Sequence, residues 1–331
     1  MSKQNFIFSI MQAFKEAQII IAAIKLNIFE HLAVPASAAQ ISQKLSIKER
    51  NVELLLASLT AIGLLKKQDA FYCNTQETNS CLNQNSPDYL GEYILFWLDK
   101  SNGQDLDKLI LGDGQHNANT YYDFKKMACL TAAEIKTGRA AALLQSIEDL
   151  WATDATFSVL DLGGGSGMLS IELLCKYINA HALIFDQPSV IEVPESFAKQ
   201  YSVSARLKTK AGDFLHDELG QSFDLIIASG VIDFAKNDLL PLLEKMAKAL
   251  QKNGHLYLVT CGFNDDFTQP RSAIVNWLTG RLQGADVLLT QKDIEKALLS
   301  TGFVKISEDI VPSVMQNYLG QLYKFKGGSE I

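Results

Sequence analysis

Residues 159–167 read VLDLGGGSG. A short apolar run meets Asp161, and Gly163, Gly164, Gly165 and Gly167 follow within five positions. Glycine lets the backbone turn sharply and approach a ligand without a Cβ clash. The stretch therefore predicts a strand-to-helix turn that cradles a nucleotide, or else a tight turn with no ligand. In the dinucleotide fingerprint GxGxxG, the third glycine comes three residues after the second and lets helix and strand pack closely. Here Met168 stands at that position and would crowd the contact. The spacing is instead Asp161-x-Gly-x-Gly-x-Gly.

The rhythm around the loop is that of an α/β sheet. TFSVLD, HALIFD, ARLKTKA, FDLIIAS and GHLYLVT are strand-like, and helical stretches at 168–178, 189–201 and 238–252 separate most of them. Such alternation predicts a parallel sheet with helices on both faces. The end differs. A helix over 290–300, capped by Thr290, precedes FVKISEDIV and GQLYKFKG. No helix separates these two, so one of them is expected to run antiparallel. Ligands in such sheets bind at the carboxyl ends of the strands. HALIFD ends in Asp186, whose carboxylate can accept both hydroxyls of a ribose. AGDF supplies Asp213 and Phe214, a carboxylate for an exocyclic amine and a ring to stack on a purine.

The amino-terminal part reads differently. Residues 6–32 predict a helix apolar on more than one face, which must be buried, in part in a second subunit. Its QIIIAAI core at 18–24 is too short to span a bilayer. Ser37 is expected to cap one helix and Ser46 a second, which Gly63 ends; a hairpin then turns near Gln68 and Asp69. Helix, turn, helix, hairpin is a winged-helix order. With Glu49 and Glu53 beside Lys48 and Arg50, and a net charge of −7, it reads as a scaffold or dimerisation module rather than a DNA reader. Cys73, Cys81, Cys129, Cys175 and Cys261 form no CxxC pair and no metal-ligand spacing, so reduced thiols, a cytoplasmic location and no metal are expected. Tyr121, Tyr122, Phe124 and Met127 read either as core packing or as the wall of an apolar substrate pocket.

With these residues in view, the chain resembles the class I S-adenosylmethionine-dependent methyltransferases. More narrowly it resembles the small-molecule O-methyltransferases with an amino-terminal winged-helix dimerisation domain, the group of the caffeate and acetylserotonin enzymes. KLNIFEHL, VELLLASLTAIGLL, VLDLGGGSG, FDQP, AGDF, FDLIIASGVIDF and LLEKMAKALQKNGHLYLV fall in family order. The resemblance implies a Rossmann-like seven-stranded sheet with a last antiparallel strand, preceded by an α-helical winged-helix domain, divided at 1–95 and 96–331. It implies S-adenosyl-L-methionine as cofactor and S-adenosyl-L-homocysteine as product. Asp161, Gly163, Gly164, Gly165 and Gly167 would pass the methionyl part and ribose, Asp186 and Gln187 the ribose, Asp213 and Phe214 the adenine, and Ser229 the methionyl end. Ile232 and Trp277 would join the pocket wall. It also implies a homodimer through the amino-terminal helices and a small-molecule substrate, with neither nucleic acid nor membrane as partner.

The departures from the family lie in the chemistry. O-methylating members carry a His-Asp-Trp step after the fourth strand of the sheet, and that His takes the acceptor's proton. Here the segment is SGVIDFAKND, and the His position is Ile232 or Asp233 depending on alignment. Two acidic supports of that His are also missing, since LYLVT ends in Thr260 and Val287, Leu288 and Leu289 precede Thr290. O-methylation remains the family expectation, with Asp233 or His116 as candidate base. Methylation at carbon, nitrogen or sulfur without a His base stays open. So do a non-methylating pericyclase, decarboxylase or hydroxylase on the same fold, and a DNA-binding or catalytically idle regulator.

Overall fold

The apolar stretch at the amino terminus folds as one helix, Lys3–Lys25. It belongs to the first of two units into which the chain divides, residues 1–103 and 104–331. The computed structural model describes residues 3–102, 106–112, 123–284, 288–314 and 316–327. The end of this helix buries Ala23 and Ile24 with Ile28, Phe29, Leu32, Ile41, Val52, Leu56 and Leu59. Its first half exposes Phe6, Ile7, Phe8, Ile10, Met11 and Phe14. By length and composition Asn5–Lys25 could cross a membrane. The apolar side chains continue back from 18–24 to Phe6.

Ser37 begins the helix Ala38–Leu45 with a reciprocal box: its N–H reaches Gln40 Oε1 at 2.8 Å, and its hydroxyl accepts the Gln40 N–H at 3.3 Å. Ser46 does not cap the next helix. It closes the first one in a left-handed conformation, φ 55°, and Glu49–Ile62 starts from Lys48 with no side-chain cap. Gly63, φ 91°, ends that second helix as expected. Strands Ala36–Ser37 (β1), Leu65–Gln68 (β2) and Phe71–Asn74 (β3) form a small antiparallel sheet in the order β1-β3-β2, with the hairpin turning through Asp69, φ 54°. Helix Gly91–Asn102 lays Ile94 and Leu95 on this core, which carries the unit past residue 95.

The second unit is built on Ser158–Leu162 (β4), His181–Asp186 (β5), Leu207–Ala211 (β6), Phe223–Ser229 (β7), Leu250–Thr260 (β8), Phe303–Val311 (β9) and Tyr318–Phe325 (β10). They form one seven-stranded sheet in the order β6-β5-β4-β7-β8-β10-β9. The first five run parallel, and β10 lies antiparallel between β8 and β9. Successive side chains of a strand point to opposite faces. Val159, Leu225, Ile227, Tyr257 and Val259 therefore pack on one face with helices Ala140–Ser146 and Met168–Lys176. Leu160, Ile226, Ala228, Leu256 and Leu258 pack on the other with Leu239–Ala249 and Gln291–Ser300. With both faces covered, ligand access is left to the edge where the parallel strands end.

Candidate active site

The loop after β4 shows why glycine is needed there. Gly163, Gly165 and Gly167 all have positive φ, at 61°, 58° and 71°. A Cβ on Gly163 would come within 2.6 Å of Val231, and one on Gly167 within 2.6 Å of Ile184 and 2.9 Å of Pro194. On Gly164 it would meet Asp161 and Ile184 at 2.9 Å. These glycines satisfy close packing. Gly165 differs: the nearest atom to its missing Cβ is the Ala128 Cβ at 3.9 Å, so its face of the loop is open. Beneath the loop Asp161 is buried and accepts the Ser170 hydroxyl at 2.7 Å. Burial lifts its carboxyl to about 6 against the pull of that hydrogen bond, and the Asp186 charge adds to the rise.

The neighbouring strand ends tie into the loop. Asp186 accepts the Gly165 N–H at 2.8 Å through one oxygen and the Gln187 N–H at 2.7 Å through the other. Burial raises its pKa, and those two N–H donors oppose the rise. Beyond β6, Asp213 is exposed and accepts the Leu215 N–H at 2.9 Å, while Phe214 is half-buried on the core beside it. Lys245 donates to the Phe214 carbonyl at 2.7 Å and holds that turn.

Two residues unnoticed in the sequence join Ser229 at the end of β7. Arg139 donates to Glu134 Oε2 through Nη2 at 2.6 Å and Nε at 3.1 Å, and its Nη1 lies 3.4 Å from the Ser229 hydroxyl. Its guanidinium also lies 5.5 Å from the Tyr318 ring centre. The Glu134 side chain is fully buried, and its Oε1 has no partner. Glu134 and Arg139 are five residues apart, out of register for an α-helix. A π-helical turn, Ile135–Arg139, brings them together.

The segment after β7 forms a short turn, Ile232–Ala235. Ile232 packs into the core with Leu160, Leu162 and Leu239. Asp233 is 3% exposed, its Oδ1 has no partner, and its carboxylate accepts the Leu289 N–H. Burial lifts it to about 7. Cys261, just past β8, accepts from Gln316 Nε2 at 3.3 Å and from the Trp277 indole. Burial, with the Asp233 charge adding to it, holds that thiol up at about 12. Phe263, Leu288, Ile274, Trp277 and Tyr318 surround Cys261.

The structure thus brings Trp277 to Asp233 by way of Cys261. Phe124 meets Phe234 edge-on at 5.7 Å, and Met127 is half-buried on the same helix, Phe124–Glu134. His116, Tyr121 and Tyr122 lie outside the described residues. Among the described histidines of this unit, His181 opens β5, His255 lies midway along β8, and His216 lies 3.8 Å from the Asp213 carboxylate. No described imidazole stands at the carboxyl ends of β7 and β8. Thr260, where the resemblance implies an acidic support, donates to Gln291 Oε1 at 3.1 Å.

Comparison with known proteins bears on this geometry. Residues 131–304 match the profile of the O-methyltransferase domain, and residues 8–84 that of the O-methyltransferase dimerisation domain. The chain is 26% identical over 288 residues to the 3-hydroxy-5-methyl-1-naphthoate 3-O-methyltransferase of Streptomyces sahachiroi, covering 80% of each. A solved O-methyltransferase-like structure from Nostoc punctiforme superposes with a TM-score of 0.76 at 22% identity, over 98% of this chain and 99% of that one. Human N-acetylserotonin methyltransferase, solved in complex with SAM, superposes with a TM-score of 0.70 at 20% identity over 99% of each chain.

Proposed function

The chain belongs to the O-methyltransferase family and is an S-adenosylmethionine-dependent methyltransferase, and we propose that it methylates a hydroxyl of a small, largely apolar, aromatic or polyketide-like metabolite with Asp233 as the base. The observation that carries this reading is the buried Asp233 carboxylate, with one unpartnered oxygen, in the segment where the resemblance implies the family's histidine. At about 7 its pKa suits proton transfer near neutral pH. The Cys261 thiol beside it stays protonated and does not compete for that proton.

The residues present fit the cofactor. The open face of Gly165 leaves room over the loop, and a Cβ there would fill it. Asp186 retains lone pairs for the two ribose hydroxyls, with Gln187 beside it, and Asp213 and Phe214 suit the adenine. Arg139 would offer a guanidinium to the methionyl carboxylate and Glu134 Oε1 would accept from the ammonium, with Ser229 within reach of Arg139. When bound, S-adenosylmethionine supplies a methyl group on a sulfonium, which an oxygen nucleophile takes up to leave S-adenosylhomocysteine.

The chain's own residues do the rest. Asp233 takes the acceptor's proton, and the apolar wall of Phe263, Trp277 and Leu288 keeps water from the reacting oxygen. We assign dimer formation to residues 8–84, with the exposed side chains of Lys3–Lys25 as the contact surface. Calorimetry with S-adenosylhomocysteine, then mass spectrometry of aromatic hydroxyl compounds incubated with S-adenosylmethionine, tests the reading. Binding with release of methylated product is expected. No binding, or full activity in Asp233→Asn, would overturn it.

A further inference from the structure

One fully buried glutamine takes no part in binding or methyl transfer. Gln321, 0% exposed on β10, stands opposite Glu308 of β9. Its Nε2 donates to Glu308 Oε2 at 2.7 Å and to Glu295 Oε1 at 3.1 Å, and its Oε1 accepts from Gln291 Nε2 at 2.8 Å. Gln291 Nε2 also donates to Glu295 Oε1 at 3.0 Å, while Gln291 Oε1 accepts the Thr260 hydroxyl at 3.1 Å. Lys305 closes the outer end on both carboxylates, at 2.8 Å each. Its ammonium, with the Gln321 amide, holds Glu308 below the ordinary carboxylate range. Partial burial pushes Glu295 up, and Lys305 with the two amides outweighs it. The carboxylates thus stay ionised near neutral pH, and both ends of the Gln321 amide are satisfied. A buried network so paired fixes a single arrangement.

The element it fixes is the start of helix Gln291–Ser300. The Gln291 N–H donates to the Phe263 carbonyl at 2.8 Å. One backbone pin leaves a helix free to swing about it. The Gln291 side chain adds a second attachment, to β8 through Thr260 and to β10 through Gln321. Two residues earlier, the Leu289 N–H donates to Asp233, and no other donor to that carboxylate is found among the described residues. The titratable side chain facing Asp233 there is the Cys261 thiol, neutral below about 12; Phe263, Leu288 and Trp277 around it carry no charge. We propose that Gln291 and Gln321 are positioning residues for Asp233: they hold the start of helix Gln291–Ser300 so that the Leu289 N–H stays on the carboxylate. This rests on Asp233 as the base. With that hydrogen bond in place the ionised carboxylate is favoured, and without it the proton is held more tightly. Neither glutamine touches the acceptor or the cofactor.

The test uses the full-length protein, labelled with 13C in its aspartates and loaded with S-adenosylhomocysteine. NMR follows the Asp233 carboxyl, assigned by its loss in Asp233→Asn, from about pH 5 to about pH 9. Gln291→Met should raise the midpoint by about one pH unit. Gln321→Met should move it the same way, and is the second variant should the first not fold. Ile294→Val, on the same helix and outside the network, is the control. It should lower the Tm and leave the midpoint in place. An unmoved midpoint in a folded glutamine variant, or an equal rise in Ile294→Val, overturns the proposal. In the wild type the Leu289 amide should resist hydrogen exchange as well as the Gln291 amide does. Rapid exchange at Leu289 overturns the proposal whatever the variants do. The titration reads no turnover, so these outcomes strike the positioning role alone. Full activity in Asp233→Asn would instead remove the base itself.

Discussion

Asp233 keeps its proton more tightly in the folded chain than in the unfolded one, because burial raises its carboxyl to about 7. Between about pH 4 and 7 the unfolded carboxyl is ionised while the folded one is not. The fold therefore loses stability as pH rises through that window, and the loss is complete above about 7. Asp233→Asn removes this penalty. Its Tm should exceed that of the wild type near pH 8 and converge with it near pH 4, while kcat falls by about 100-fold or more. Wild-type kcat/KM should rise with pH up to about 7 and then level off. An Asn variant that keeps its kcat, or melts earlier at alkaline pH, would contradict the assignment. The glycine loop gives a contrast between neighbours. Gly167→Ala drives a Cβ to 2.6 Å from Ile184 and should cost about 1–3 kcal/mol in urea unfolding. Gly165→Ala meets nothing closer than 3.9 Å, so only its left-handed backbone is strained, by about 1–2 kcal/mol. Its Cβ stands in the open face, and S-adenosylhomocysteine affinity should drop about tenfold or more.

At the scale of elements, the π-helical turn Ile135–Arg139 is what makes a buried ion pair from residues in no α-helical register. Arg139→Met leaves Glu134 charged and unpaired in the interior, and unfolding should show a loss of about 3–5 kcal/mol. The double variant Glu134→Met with Arg139→Met should recover most of that stability and still fail to bind S-adenosylhomocysteine. Recovery of both together would mean that the pair only packs. This turn also marks the limit of what was legible. Strand alternation announced β4 through β8, the glycine spacing set the loop apart from the dinucleotide kind, and the missing helix between the last two strands foretold that one of them runs antiparallel, which is β10. Ser46 misled because a serine before a helical run looks like an N-cap, and here the left-handed turn at the end of the preceding helix claims it. Glu134 and Arg139 gave no signal because their spacing suits neither an α-helix nor a strand. Gln316 and Cys261 lie 55 residues apart, and only the insertion of β10 beside β8 makes them neighbours.

At the scale of the molecule, the first unit carries an apolar surface that its own core leaves uncovered. Phe6, Ile7, Phe8, Ile10, Met11 and Phe14 are exposed on Lys3–Lys25, and contiguous apolar patches of this kind mark association sites. Their place within or beside the dimerisation match at 8–84 directs them to a second copy of the chain. Phe8→Glu with Phe14→Glu should turn a dimer into a monomer by sedimentation velocity. A variant that stays dimeric would move the interface elsewhere.

The strand order has a consequence for how the protein is made. β10, Tyr318–Phe325, lies inside the sheet, although it is made after the edge strand β9. Until it emerges from the ribosome, β8 keeps a bare edge and β9 has no neighbour to pair with. Gln316 arrives on the same stretch of chain, so one event closes the sheet and brings Gln316 to Cys261. The nascent protein thus carries an unpaired strand edge, open to other chains, until β10 is made.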